Sequence, residues 1–382
     1  MSRFVVVTWD GAGNLVSTLA VARTLAERGH DVRLLGHRSI AERCGTDGWR
    51  FVPYAESLEF DSARPWDVGG EMATLAPQLW FDGGPGRDLL AELDREPADV
   101  LVVDCMLLGA VSAAVASGLP TVALFHSPIS GFRGGPMVEM LMPYLPALND
   151  FRSELGLASV PEPAGVHDEC AAGLVFCPRE YDVDLPLPEN VRYVGPVLDG
   201  PPLSASRDAV AIGDGPDPIV LVSFSTSFQQ QREVIQRVLD ALDGLPVRTV
   251  VTTGPSIAPE ELSAPENATV VRFVPHDEVL PSTSLVVTHA GLGTVMNALA
   301  HGVPMVCVPM GRDQFFNAAM VERLGAGRSV PPDATADAIR AEVEAVLEDP
   351  DAKAAAKAMA GVIAGTRARD EAAEVLEALA VR

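Results

Sequence analysis

The sequence predicts an α/β protein of two parallel-sheet domains, and three observations carry the prediction. A strand, a loop, a helix and a second strand follow one another within the first 35 residues, the order from which parallel sheets are built. The same alternation restarts at Ile219–Phe224, after a stretch without periodicity. At 382 residues the chain also exceeds the size at which one core keeps growing, so two domains of roughly 200 residues are the natural division.

Composition narrows the function classes. With 48% hydrophobic and 21% charged residues the chain is globular. A formal net charge of −24 argues against nucleic acid or an anionic membrane as partner, since phosphate binding needs clustered Lys and Arg. No apolar run approaches the ~18 residues of a membrane span, and Met1-Ser2-Arg3 leads into Phe4–Val7 without a signal-peptide core, so a cytoplasmic protein is expected. The five cysteines, Cys44, Cys105, Cys170, Cys177 and Cys307, have no metal-ligand spacing. Buried, reduced thiols are expected, with no disulfide and no structural zinc.

In chain order, Phe4–Thr8 reads as a buried strand, Trp9–Asn14 as a loop and Ser17–Arg28 as an amphipathic helix closed by Gly29. Asp31–Leu35 starts the next strand. The loop sequence GAGNLV lacks the third glycine of a dinucleotide fingerprint, and Gly36-His37-Arg38 stands where an acidic residue would follow the second strand. Nicotinamide binding is disfavoured. Phe51-Val52, Leu101–Asp104, a small-residue helix Gly109–Ser117, Thr121–Phe125, Gly173–Phe176 and Val191–Val194 continue the alternation. Two irregular stretches, Ser57–Gly86 and Ser127–Asn149, carry Trp66, Trp80, Phe132 and Met137 among Gly and Pro. Apolar residues in long loops need something to cover, either their own core or a ligand.

Residues 1–198 therefore form the first domain and 199–218, with four prolines between Leu198 and Pro218, a linker. The second domain, 219–365, reads as strand Ile219–Phe224, helix Gln229–Leu242 and strands Arg248–Thr252 and Thr269–Phe273, followed by the stretch Leu285–Asn317. Helices Ala336–Leu347, with Thr335 as its cap, and Ala352–Gly361 follow, and 366–382 holds a last amphipathic helix, Glu371–Val381.

The stretch Leu285–Asn317 carries the chemistry. A buried strand (Leu285–Thr288) runs into a turn with His289, Gly291 and Gly293, a helix opens near Thr294, and a second strand (Met305–Val308) ends in a loop with Arg312, Asp313 and Gln314. Two glycines, a helix N-terminus and the donors of Thr294 and His289 suit a diphosphate. A carboxylate beside an amide suits the adjacent hydroxyls of a sugar.

The pattern H-x-G-x-G-T, a short helix, then G-V-P-x-V-x-x-P-x-x-x-D-Q closely resembles the nucleotide-sugar signature of inverting glycosyltransferases of the GT-B type. The branch is that of plant UDP-glycosyltransferases and bacterial antibiotic glycosyltransferases. The resemblance covers nearly the whole chain and implies two Rossmann-like domains facing across a cleft, acceptor on the first and nucleotide sugar on the second. It implies that the terminal helix crosses back to the first domain, and that no metal or other cofactor is needed. SFSTS at Ser223–Ser227 resembles the family's phosphate loop, which carries Thr226 and Ser227 over as diphosphate contacts. FVPHDEVL resembles the base-binding segment, with Phe273 to stack on a pyrimidine and the backbone near Val274 to pair with its edge. Asn297 stands where plant relatives bind ribose hydroxyls with Glu, which favours a dTDP-sugar over a UDP-sugar. Trp66, Trp80, Phe132 and Met137 become candidates to hold an aromatic acceptor.

The resemblance also exposes a gap. Relatives place a catalytic His at the start of the first helix and orient it with an Asp after a later strand. Asp104 matches that Asp, but Asn14 stands at the His position and Ser17 at the following Pro position. An amide takes no proton at neutral pH, and a positioned base is worth about 100- to 10,000-fold. Four accounts stay open: Asp10 as base with Asn14 holding the acceptor, His126 reaching in from the next strand, an acceptor acidic enough to need only Asp104 or solvent, or a protein that binds nucleotide sugar without transfer. Asp10 stands foremost, since a carboxylate at that strand end faces the crevice where open α/β sheets bind ligands. The expected function is inverting transfer to a hydrophobic small-molecule natural product. The alternatives are a nucleotide-sugar epimerase of the same fold and a nucleotide-sugar-binding protein. Small molecules are the expected partners, with monomer or homodimer left open.

Overall fold

Apolar runs without alternation become strands covered on both faces. Phe4, Val5, Val6 and Val7 are fully buried, as are Leu101, Val102 and Val103, the burial pattern of a parallel sheet flanked by helices. The computed structural model describes residues 1–44, 48–62, 73–134, 136–198, 215–224 and 230–381, which divide into two compact units. The first takes its described residues from Met1–Ser62, Asp67–Pro201 and Arg367–Arg382, the second from Pro202–Thr366. Residues 199–214 of the expected linker lie outside the described residues.

The first unit holds β1 (Arg3–Val7), β2 (Asp31–Gly36), β3 (Arg50–Pro53), β4 (Val100–Asp104), β5 (Thr121–Phe125), β6 (Ala172–Val175) and β7 (Val191–Tyr193). Its parallel sheet runs β3-β2-β1-β4-β5-β6-β7. Strand order reverses between β1 and β4, so the loops leaving their C-terminal ends lie side by side, the place where open α/β sheets bind ligands. Helix α1 (Asn14–Glu27) follows the first loop and α2 (Leu108–Ala116) the second.

The second unit repeats the plan with β8 (Ile219–Ser223), β9 (Arg248–Thr252), β10 (Ala268–Val271), β11 (Thr283–Thr288), β12 (Met305–Cys307) and β13 (Gly327–Ser329), ordered β10-β9-β8-β11-β12-β13 and parallel throughout. Its reversal falls between β8 and β11. Helices α3 (Leu292–Ala300) and α4 (Gln314–Arg323) leave the ends of β11 and β12. Val220, Val222, Leu285 and Val287 pack against Ile235, Leu239, Ile339 and Val343 in one core.

The last helix, α5 (Ala368–Ala380), belongs to the first unit and packs on α1. Arg28 donates to Glu377 (2.8 Å) and Asp370 (2.7 Å) there. Those pairs are partly exposed and worth little, so the buried Ala372, Ala373 and Leu376 hold the helix in place.

Boundaries shift from the expected ones in three informative places. Helix α1 opens at Asn14, three residues before Ser17, so Asn14 leaves the loop and enters the first helical turn. A helix, Gly84–Arg95, begins inside a stretch read as irregular, because Pro85 in its first turn mimics a turn signal. Strand β13 was not foreseen. It is three residues long, and a Cβ on Gly327 would stand 2.1 Å from the Met305 carbonyl, so the pairing needs a glycine that reads as a break. Thr335 caps its helix as expected, its Oγ1 accepting from Ala338 N–H at 3.2 Å. The five cysteines are buried and unbridged. Among the described residues no helix is long and apolar enough to cross a membrane.

Candidate active site

At the reversal point of the first sheet a polar cluster is buried. Asp104, the last residue of β4, is 1% exposed. Its Oδ1 accepts from Met106 N–H at 2.9 Å and its Oδ2 from Asn14 Nδ2 at 2.7 Å. His126, next after β5, brings Nε2 to 3.0 Å from the same Oδ2, off the line of an ideal hydrogen bond. Its Nδ1 lies 2.8 Å from Ser17 Oγ, and Phe176 stacks on the ring with planes 9° apart. Burial opposes charge on Asp104, but His126, Asn14 and the Met106 N–H together outweigh it and hold the carboxyl below its ordinary value. Asp104 is therefore an anion at neutral pH, placed to stabilise a positive imidazole.

Asp10 takes a different part from the one expected. It is fully buried. Oδ1 accepts from Ser62 Oγ (2.8 Å), Oδ2 from Ser39 Oγ (2.8 Å) and Ser62 N–H (3.3 Å), and its own N–H donates to His37 Nδ1 (3.1 Å). The expectation that this carboxylate faces an open crevice is corrected. It fastens the segments carrying Ser39 and Ser62 onto the end of β1, and the sequence-predicted residues brought together are Asn14, Asp104 and His126.

The turn after β11 builds the second site. His289 is 7% exposed, stacked on Phe224 with ring centroids 6.0 Å apart. Burial pushes its pKa down to about 4, against a hydrogen bond to the Ser223 backbone and helped by Arg312. The ring is neutral at neutral pH and offers a hydrogen bond, not a charge. Ala290 takes the left-handed conformation at φ 65°. Gly291 is required by its neighbour, since a Cβ there would stand 2.5 Å from His289 Nε2, whereas Gly293, in the first turn of α3, has nothing within 4 Å of its Cβ position. Open space over a helix N-terminus is what an anion needs. Thr294 is half-buried beside it.

The loop after β12 is tied to that turn. Asn317 is fully buried, its Nδ2 donating to the Ala290 carbonyl (3.0 Å) and to Asp313 Oδ2 (2.9 Å). Gln314, 2% exposed, accepts on Oε1 from the N–H groups of Met310 (2.8 Å) and Gly311 (3.1 Å). Its carbonyl oxygen thus shapes the loop, while Asp313 stays half-buried. Asn297 turns its Nδ2 back to the Gly293 carbonyl at 2.8 Å. Phe273 is half-buried just past β10 and Val274 is buried. Of the residues expected to meet the acceptor, Trp80 is buried against Trp9, with ring centroids 5.6 Å apart. Phe132 lines an apolar cavity with Met106, Leu108, Val138 and Leu141, and Met137 is half-buried beside that wall. Trp66, Thr226 and Ser227 lie outside the described residues.

Comparison with known proteins meets this geometry. Residues 236–379 match the family described as "Erythromycin biosynthesis protein CIII-like, C-terminal domain". The chain is 28% identical over 421 aligned positions to 4'-demethylrebeccamycin synthase of Lentzea aerocolonigenes, covering 99% of each. The structure of CalG4, the calicheamicin glycosyltransferase, superposes with a TM-score of 0.83 at 22% identity, over 100% of this chain and 99% of that one. The chain has the two-domain GT-B fold of that structure, and the proteins it resembles include natural-product glycosyltransferases. VinC, a glycosyltransferase solved in complex with dTDP, superposes at 0.76 and 20% identity over all of both chains.

Two further residues belong to these clusters without any motif marking them as site members in the sequence. Ser17 registered only as a missing proline, although it lies one helical turn beyond Asn14 and so on the same face. Asn317 was the end of a motif, yet it stands four residues after Asp313, the spacing that lets its amide reach that carboxylate.

Proposed function

We propose that this glycosyltransferase moves a sugar from a dTDP-sugar to a hydroxyl of a hydrophobic small-molecule natural product, with inversion at the anomeric carbon and without a metal. The acceptor is held by the first unit and the nucleotide sugar by the second. The observation that carries the reading is the turn His289–Gly293, where an uncovered Gly293 and the N-terminus of α3 leave room and N–H donors for a diphosphate. Neutral His289 adds a hydrogen-bond donor, and Phe273 offers a face for the pyrimidine. The dTDP complex of VinC, which shares the fold, agrees with the lean toward dTDP drawn from Asn297. The proton released by the acceptor ends on His126, with Asp104 charged behind it to stabilise the imidazolium.

Calorimetric titration with dTDP, UDP and NAD, without added metal, tests the donor half. Micromolar affinity for a pyrimidine diphosphate with NAD silent is expected, dTDP tighter than UDP. Silence from both pyrimidine nucleotides would sink the reading.

A further inference from the structure

Neither ring nitrogen of His126 is open to a substrate: Nδ1 faces Ser17 Oγ at 2.8 Å, and Nε2 is buried 3.0 Å from Asp104 Oδ2, off the line of an ideal hydrogen bond. Phe176 stacks on one face of the ring. A substrate hydroxyl therefore meets no open ring nitrogen in this arrangement, and the proton it loses must pass through a neighbour. We propose that Ser17 is the residue that touches the reacting hydroxyl and relays its proton to His126, a step that rests on the transferase reading above.

The chemistry of the neighbours assigns the direction. An ionised carboxylate only accepts, so Nε2 carries its hydrogen toward Asp104, and Nδ1 keeps a lone pair that accepts the Ser17 O–H. Asn14 supplies a second, independent observation. Its Nδ2 is spent on Asp104 (2.7 Å) and the Trp9 carbonyl (3.2 Å), which leaves Oδ1 buried without a partner. A Cβ on Gly11 would stand 2.8 Å from that oxygen, so only a glycine fits beside it. Asn14 and Ser17 are 8% and 7% exposed, one helical turn apart at the start of α1. A buried carbonyl oxygen in that position waits for a donor.

In the transfer, the acceptor oxygen bonds to the anomeric carbon as the bond from that carbon to the phosphate oxygen breaks, and the electron pair leaves with the nucleoside diphosphate. The acceptor proton moves to Ser17 Oγ while the Ser17 proton moves to Nδ1 of His126. The imidazolium that results sits against the Asp104 carboxylate.

Two measurements test the relay. Nitrogen NMR of imidazole-labelled protein, with His126 assigned through His126→Gln, should find His126 protonated at Nε2; a ring protonated at Nδ1 would donate to Ser17, and the relay would be wrong. Release of dTDP from dTDP-glucose, with 2-phenylethanol, phenol, 4-nitrophenol or water as acceptor, then reads Ser17→Ala. The variant should bind dTDP like the wild type. Its turnover should fall about 100-fold with the weakly acidic alcohol, yet less than about 10-fold with 4-nitrophenol, which surrenders its proton unaided. No fall, or the same fold-loss across that range of acidity, overturns the relay. A wild-type protein that fails to bind dTDP, or binds it and releases none from the sugar donor, overturns the transferase reading and the relay with it.

Discussion

Asp10 and Asp104 stand at the ends of adjacent strands, but their surroundings give them separate work. Asp104 neighbours an imidazole at 3.0 Å, whereas Asp10 spends its oxygens on Ser39 and Ser62. Asp10→Asn should therefore cost stability, about 1–3 kcal/mol for a buried acceptor lost, and leave kcat within about threefold, since no proton passes through it. His126→Ala should lower kcat by about 100- to 10,000-fold and also lower the urea midpoint, because the side chain is 13% exposed and stacks on Phe176. Steady-state kinetics beside urea unfolding separates the two; an Asp10→Asn variant that is stable but inactive would restore Asp10 as the base. The sequence showed Asp104 plainly, as a carboxylate ending an apolar strand. It could not separate Asp10 from it, because the partners that close over Asp10 stand 29 and 52 residues away in sequence.

At the level of elements, the turn from β11 into α3 was legible because its parts are contiguous: strand, glycines and helix all lie between Thr283 and Ala300. What contiguity hid was the difference between the glycines. Gly291 makes room for His289, while Gly293 has nothing within 4 Å of its Cβ position. Gly291→Ala should displace the imidazole, lowering both the melting temperature and the affinity for dTDP. Gly293→Ala should keep or raise stability, by up to about 1 kcal/mol from the better helix former, and still weaken dTDP binding, since its methyl group occupies the open space. Calorimetry beside thermal unfolding decides the matter; a Gly293→Ala protein with unchanged dTDP affinity would move the diphosphate away from this turn. The tie from Asn317 to the Ala290 carbonyl joins two loops that the pattern presents as separate signals, and only the packing of α4 beside α3 reveals it.

On the scale of the whole molecule, acid works through rings that fold in the neutral form. Burial pushes His167 in the first unit and His289 in the second down to about 4 from 6.5. Between those values the unfolded chain binds protons that the folded chain refuses, so stability falls as pH drops through 6.5 toward 4. At pH 5 the loss is about 2 kcal/mol per ring. A counter-effect exists: the chain carries a formal charge of −24, and acid relieves that self-repulsion, so the total pH dependence mixes two opposing contributions. Substitution isolates one of them. His167→Gln should lower stability at pH 7, because the ring fills space beside Phe125 and hydrogen-bonds the Cys105 carbonyl at 2.9 Å. The decline from pH 7 to pH 5 should nevertheless be shallower in this variant than in the wild type by about 2 kcal/mol. Urea unfolding at both pH values, followed with a probe in the first unit, measures the difference; parallel declines would mean that His167 is protonated in the folded protein at pH 5.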